Sequence, residues 1–201
     1  MAEVVTPIPA ASVLLFREDP LEVLMILRHT KSSFAPDSWV FPGGAVDPED
    51  SAFADGSIVN TMRIAAAREL FEETGIWLGT GAVDFRNLDL ERLVWTSRWI
   101  TPVGVPKRFD TYFFLATTGR ETQTTLQETE AVDSIWISPA DAVQRHMDGS
   151  FPLVFPTLKN LEAIVGFGTA AELLDARRDA EIPTTQPIIV IEDGKKKIVL
   201  P

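Results

Sequence analysis

The sequence predicts an α+β fold in which a mixed β-sheet lies between helices, as an α/β/α sandwich with extra C-terminal helices. Two observations support this prediction. Short apolar runs of strand length recur along the chain, and a long helical pattern ending near residue 74 interrupts them. Because sheets and helices must each bury an apolar face against another layer, this order favours helices packed on one sheet.

The first elements follow from apolar runs and turn residues. Residues 10–17 and 21–28 read as strands around Asp19-Pro20, and they are expected to pair as a hairpin. Residues 39–41 form a short strand that ends in a glycine loop at Gly43 and Gly44. Glycine tolerates positive φ and close backbone approach, so this loop suits a site beside phosphates.

The remaining elements are read in the same way. A helix is predicted at 88–94, strands at 95–101, 108–117 and 131–138, helices from 139 and at 156–167 and 170–178, and a closing hairpin at 187–191 and 195–200 around Asp193-Gly194.

Composition restricts the class of protein. At 201 residues with 45% hydrophobic residues, the chain is of the size of one domain, and without cysteine it has no thiolate chemistry. Its start lacks a signal-peptide pattern and no run is long enough for a membrane span, so a soluble cytoplasmic protein without a membrane partner is expected. A net charge of −11 argues against nucleic-acid binding.

The most informative stretch is a cluster of charges on the long helix. Glu69, Glu72 and Glu73 stand at i, i+3 and i+4, so they project from one side of the helix. Carboxylates in this arrangement suit a hard divalent cation, although a solvated acidic face is the common alternative. Gly75 stands where a glycine cap would end the helix.

The other side of this helix is apolar. Ile64, Ala67 and Phe71, flanked by Leu70, form a stripe suited to packing under a sheet. The small side chains of Ala65 and Ala66 are expected to leave room above the acids.

The string Arg68-Glu69-Leu70-x-Glu72-Glu73-x-Gly75-Ile76 resembles the second half of the signature of the Nudix hydrolases, and Phe41-Pro42-Gly43-Gly44 is similar to its entry. The resemblance covers about residues 8–150 and implies the Nudix fold, with 151–201 as a C-terminal extension of a single domain 1–201. Arg68 follows Gly44 by twenty-four positions, where the family pattern has fourteen. For the remaining signature glutamate, counting forward from Gly44 reaches Asp50 and counting back from Arg68 reaches Asn60, and the choice stays open.

The resemblance implies hydrolysis of a nucleoside diphosphate linked to another moiety, with Mg²⁺ or Mn²⁺. It places Glu72 and Glu73 as metal ligands, Glu69 as a further ligand or base, and Arg68 as the residue that orients them. It also implies a loop acid before a tryptophan-containing strand. Glu130 stands six residues before Trp136 and is preferred to Glu128 for this role.

Substrate contacts are expected from the glycine pair Gly43 and Gly44 and from arginines at strand ends. Arg28, Arg98 and Arg108 are the candidates for phosphate binding, because guanidinium groups bind phosphate in a bidentate way. Trp95, Trp99 and Tyr112 are candidates for stacking on a base, with core packing as the alternative.

Several further segments, such as Trp99-Ile100-Thr101-Pro102, resemble the Nudix branch that includes the mammalian peroxisomal coenzyme A diphosphatase, which also has an insertion inside the signature. The branch implies coenzyme A or acyl-CoA as substrate. ADP-ribose, NADH and dinucleoside polyphosphates are the alternatives within the enzyme class, and a non-catalytic ligand-binding module is the alternative outside it. A homodimer is expected from the family. The segment 47–60 is the place to look for substrate choice.

Overall fold

The computed structural model describes residues 4–32, 35–127, 129 and 131–201, and it contains a mixed β-sheet with helices on both faces. The elements, in chain order, are β1 (Ile8–Arg17), β2 (Glu22–Arg28), β3 (Trp39–Val40), β4 (Gly43–Ala45), α1 (Ile58–Thr74), β5 (Val94–Ile100), β6 (Phe109–Thr117), β7 (Ala131–Ile137), α2 (Pro139–Met147), α3 (Phe155–Glu162), α4 (Ala170–Arg178), β8 (Thr184–Thr185), β9 (Ile188–Glu192) and β10 (Lys195–Val199).

Strand β1 is the centre of the sheet. It pairs in parallel with β6 along its whole length, from Ile8 opposite Phe109 to Phe16 opposite Thr117. Its predicted hairpin with β2 exists only next to the turn, where Phe16 lies opposite Val23. Farther along, β3 pairs with β2 and β4 pairs with β1, so the segment 39–45 enters between the two strands.

Each face of the sheet is covered by helices, which confirms the predicted sandwich. Strand β1 is buried on both sides, as expected for a strand between two helical layers. Alternate residues Ala11, Val13 and Leu15 pack in the cluster that contains α1. Leu14 and Phe16 pack in the cluster that contains residues of α2, α3 and α4.

Three predicted elements differ in the structure. The helix at 88–94 was wrong: two 3₁₀ turns at Phe85–Asn87 and Leu90–Arg92 precede β5, because Asp84 and Asp89 accept hydrogen bonds from backbone N–H groups two residues ahead and favour turns over helix. The helix predicted at 156–167 ends at Glu162. The glycine pair lies in strand β4 instead of a loop.

The predicted C-terminal hairpin is confirmed as β9 and β10, which pair antiparallel around Asp193-Gly194. No α-helix within the described residues is long and apolar enough to cross a membrane.

Candidate active site

Helix α1 carries the predicted carboxylates between two defined ends. Ser57 precedes it as an N-cap, and its Oγ accepts a hydrogen bond from the N–H of Asn60. Gly75 ends it in the left-handed conformation with φ of 70°, and its N–H donates to the carbonyl of Phe71 at 2.8 Å. The helix therefore has a capped residue at each end, and the three glutamates stand in the last two turns before the glycine cap.

The buried face of α1 is wider than the sequence predicted. Ile64, Ala67 and Leu70 are buried as expected, but Phe71 is only half-buried and packs edge-on against Trp77. Ala65 and Ala66, which were expected to leave room above the acids, are fully buried. The physical reason is that β4 as well as β1 packs against α1, and small side chains allow that close approach.

Arg68 is the hub of the carboxylate cluster. Its Nη1 lies 2.9 Å from an oxygen of Glu69 and 2.8 Å from an oxygen of Glu72. Its Nε and Nη2 bind the two oxygens of Asp50 at 2.9 and 3.0 Å, a bidentate pair. Nη2 also donates to the carbonyl of Ala45 in β4 at 2.9 Å. One guanidinium therefore connects the helix, the short strand and the segment between them.

The neighbouring carboxylates stabilise the positive charge of the Arg68 guanidinium. Burial alone would lower the pKa of Arg68, but hydrogen bonds and charge from Asp50 and Glu69 outweigh the burial and raise the pKa above its ordinary value. Arg68 is therefore cationic at neutral pH, as arginine is in proteins generally. This fixed positive charge offsets the repulsion between Glu69 and Glu72.

The two candidates for the additional signature acid have different partners in the structure. Asp50 is 2% exposed and grips Arg68, and one of its oxygens also accepts the N–H of Asp47. Asn60 binds Asp55 and Arg63 instead. Of the two positions, Asp50 is therefore the one whose side chain joins the cluster around Arg68.

Strand β4 is the wall against which the glutamates lie. Glu73 is 2% exposed, and its carboxylate accepts the N–H of Gly43 at 2.8 Å. A Cβ added at Gly44 would collide with the carboxylate of Glu69, and one added at Gly43 would collide with the carbonyl of Ala11. Gly43 has no room for a side chain because strand β1 lies so close to it, whereas at Gly44 the space is taken by the carboxylate of Glu69 on α1.

The donor set fits a hard divalent cation in its chemistry, since Glu69, Glu72 and Glu73 offer only carboxylate oxygens. Oxygens of Glu69 and Glu72 already converge on one cationic nitrogen of Arg68. Within the part of the chain that the structure describes, no three carboxylate or histidine side chains are close enough together to form a complete metal cage. Glu128 and Glu130, the candidates for the loop acid, lie outside the described residues.

A cleft of about 680 Å³ opens beside β4. Gly43 and Gly44 line it, and so do the cationic side chains of Arg28 and Lys107. Most of the remaining lining is apolar and comes from β5, the turn before β6, the start of α3 and the closing hairpin; it includes Trp99, Val105, Phe109, Phe155 and Ile198. The cleft thus joins a polar end near the glutamates to a long apolar region.

The three predicted phosphate-binding arginines have different surroundings. Arg28 lines the cleft, and its buried Nε has no hydrogen-bond partner among the described residues. Arg98 forms a bidentate pair with Asp110 at 2.9 and 2.6 Å. Arg108 is 4% exposed and donates to the carbonyls of Thr101 and Val5. Arg28 alone of the three belongs to the cleft lining.

The three aromatic candidates for stacking on a base also lie in different places. Trp95 and Tyr112 stack on each other with ring centroids 5.2 Å apart and belong to the core beside α1. Trp99 lines the cleft. Lys107 also lines the cleft but was not among the residues predicted from the sequence. Its position between the predicted strands 95–101 and 108–117 was the available signal, because a cation at a strand end can contact an anionic ligand.

The α/β/α sandwich and the glutamate-bearing helix held against a glycine-containing strand are features of the Nudix fold. The NUDIX domain model matches residues 6–155, and the chain belongs to this family. A crystal structure of a NUDIX hydrolase from Alicyclobacillus acidocaldarius superimposes with a TM-score of 0.77 at 25% identity, covering 88% of this chain and 99% of that one.

Two curated relatives share sequence with the chain. A Caenorhabditis elegans protein with the provisional name nudix hydrolase 7 is 32% identical over 76% of this chain and 58% of its own length. An acyl-coenzyme A diphosphatase of Xenopus laevis is 24% identical over 76% of this chain and 62% of its own length. The chain therefore matches about three fifths of the length of each of these two relatives. Proteins of this family generally use divalent metal ions.

Proposed function

We propose that this protein hydrolyses the pyrophosphate bond of a nucleoside diphosphate linked to another moiety, with coenzyme A or an acyl-CoA as the best substrate and Mg²⁺ or Mn²⁺ as cofactor. The observation that carries the proposal is the contact between α1 and β4. There Glu73 accepts the N–H of Gly43, Glu69 lies against Gly44, and both glycines line the cleft.

The chain's own residues divide the work. Glu69, Glu72 and Glu73 would hold the cation, and Arg68 keeps the first two carboxylates in place. A bound divalent ion would offset charge on the pyrophosphate and lower the pKa of a water nucleophile. Glu130, or Glu128, is proposed as the loop acid or base. In support, the nearby Gln127 donates its backbone N–H to the carbonyl of Glu73 at 3.1 Å.

The shape and charge of the cleft favour a substrate with a phosphate end and an apolar end. Arg28, at the polar end, has a buried Nε without a partner among the residues that the structure describes, and this donor suits a phosphate oxygen. The apolar lining suits an acyl-pantetheine arm better than a second sugar or nucleotide. Similarity to an acyl-coenzyme A diphosphatase points the same way. For Arg98 and Arg108, the partners described above favour structural roles.

The test is turnover of a panel of coenzyme A, acetyl-CoA, ADP-ribose, NADH and diadenosine polyphosphates with Mg²⁺ or Mn²⁺, with products separated by chromatography. Glu72→Gln should lower kcat at least about 100-fold, because a charge-stabilising group is lost from the site. Its side chain is 50% exposed, so the variant should fold. Glu91→Gln is the matched control, since Glu91 also pairs with an arginine but lies in a 3₁₀ turn away from the cleft.

Absence of turnover on every compound, or equal kcat for wild type and Glu72→Gln, would refute the catalytic assignment. Tight binding of a panel member without turnover would instead identify a ligand-binding module.

A further inference from the structure

Trp99 lies near the end of β5, in the wall of the cleft. Its side chain lines the cleft, it is only 9% exposed, and its buried Nε1 has no hydrogen-bond partner among the described residues. Trp95, in the same strand, shows the ordinary situation, because its Nε1 donates to the carbonyl of Ser97 at 3.1 Å.

A buried indole N–H without an acceptor is costly. Leaving such a donor unsatisfied forfeits the hydrogen bond it would make with water, and buried tryptophans usually find a partner. In a cleft wall, the missing acceptor is most simply supplied by the ligand. An orphaned donor of this kind is then a specificity element, because it rewards only ligands that present an acceptor at that point.

The surroundings of Trp99 indicate what kind of acceptor this is. Phe155 packs edge-on against its ring with centroids 6.1 Å apart, and Val105, Phe109 and Ile198 line the same cleft. The ammonium of Lys107 lies over the ring of Phe109, 5.1 Å from its centroid. The side chains around Trp99 are mostly apolar, with the Lys107 ammonium held over Phe109, and they favour an acceptor carried by a largely apolar group.

This position is separate from the polar end of the cleft. Arg28 ends β2 and Trp99 is near the end of β5. The segment of β3 and β4 pairs with β2 through β3 and with β1 through β4, and β6 lies between β1 and β5. At about 4.8 Å per strand, the two residues are on the order of 15–20 Å apart, the length of an extended nucleotide conjugate.

We propose that Trp99 donates its indole N–H to an uncharged acceptor, an amide carbonyl or a ring nitrogen, on the part of the ligand that occupies the apolar end of the cleft. This proposal rests on the proposed function for the identity of the ligand. Two parts of coenzyme A carry such an acceptor: the pantetheine arm has amide carbonyls, and the adenine base has ring nitrogens.

The direct test is to titrate wild-type protein with pantetheine and, separately, with adenosine, and to follow the indole N–H signals in a ¹H–¹⁵N spectrum. The chain has five tryptophans, so the spectrum has five such signals. Metal and turnover are not needed. We expect the Trp99 signal to move downfield with one of the two compounds, which also identifies the source of the acceptor.

Trp77 is the internal control. Its Nε1 is likewise buried and unpartnered among the described residues, but it packs against Phe71 and Phe85 and does not line the cleft. Its signal should stay in place. For whichever of the two compounds shifts the Trp99 signal, Trp99→Phe should raise the Kd about 3- to 10-fold, which corresponds to the loss of one hydrogen bond. Trp77→Phe should change that Kd by less than about twofold.

The proposal is overturned if neither compound moves the Trp99 signal, or if Trp77→Phe weakens binding as much as Trp99→Phe does. Should Trp99→Phe fail to fold, the wild-type titration with sequentially assigned signals still decides. Because binding is measured without hydrolysis, a shifted Trp99 signal in a protein that cleaves nothing would refute the proposed function and leave this inference standing.

Discussion

Among single side chains, Arg68 determines how the carboxylates of α1 are held. It contacts two glutamates on its own helix, an aspartate from the segment before the helix and a carbonyl from β4. An exposed i, i+4 pair contributes little, but this guanidinium is only 13% exposed and makes a bidentate pair with a buried carboxylate. The contact with Asp50 therefore matters more than the helical pair with Glu72.

Asp50→Ala tests this ranking. The substitution removes the buried partner and leaves two Arg68 nitrogens short of acceptors, so the free energy of unfolding should fall by about 2–4 kcal/mol in a urea titration. Asn60→Ala, at the position reached by counting back from Arg68, should cost less than about 1 kcal/mol. Equal losses for both variants would contradict the structural role given to Asp50.

At the level of secondary structure, the site depends on how closely β4 approaches α1. Gly44 has no side chain because the carboxylate of Glu69 occupies the place where its Cβ would stand. That collision involves the end of a flexible side chain and no positive φ, so the backbone can remain in place while the carboxylate moves. A larger residue at Gly44 should therefore change the catalytic rate more than it changes the stability of the fold.

Gly44→Ala is therefore expected to lower kcat about 10- to 100-fold, because a displaced carboxylate no longer meets the reacting groups in the required geometry. Its stability should change by less than about 1 kcal/mol. Gly166→Ala is the control, since an added Cβ there meets nothing within 4 Å. Steady-state kinetics and thermal unfolding of both variants supply the comparison. An unchanged kcat in Gly44→Ala would contradict a role of the Glu69 carboxylate in the reaction.

The whole molecule builds the cleft from parts that are distant in sequence. Residues from β1, β4, the turn after β5, the start of α3 and the closing hairpin meet around it. The hairpin contributes Pro187 and Ile198, yet its residues are absent from the main core clusters. The hairpin therefore contributes more to the cleft lining than to the core of the main sheet.

Ile198→Ser should consequently raise KM for the preferred substrate about 3- to 10-fold by removing apolar contact, with kcat and thermal stability nearly unchanged. Ile191→Ser is matched to it, because Ile191 is in the same hairpin but is 76% exposed and does not line the cleft. Identical KM values for the two variants would remove the hairpin from substrate binding.

Local patterns accounted for much of the architecture. The bounds of α4, the glycine cap of α1 and the closing hairpin were predictable, because glycine at a helix end and an Asp-Gly turn act within a few residues. Where short-range hydrogen bonds competed, as at Asp84 and Asp89, periodicity alone predicted a helix that does not form.

The sequence by itself determined that Glu69, Glu72 and Glu73 share one side of a helix, since helical geometry places i, i+3 and i+4 together whatever the rest of the chain does. Only the tertiary structure decided that Asp50 holds Arg68, that Gly43 meets Glu73 and that Arg28 lines the cleft while Arg98 and Arg108 have protein partners. These contacts join residues 12 to 103 positions apart, and which of several chemically suitable partners meets another depends on how the sheet brings distant strands together.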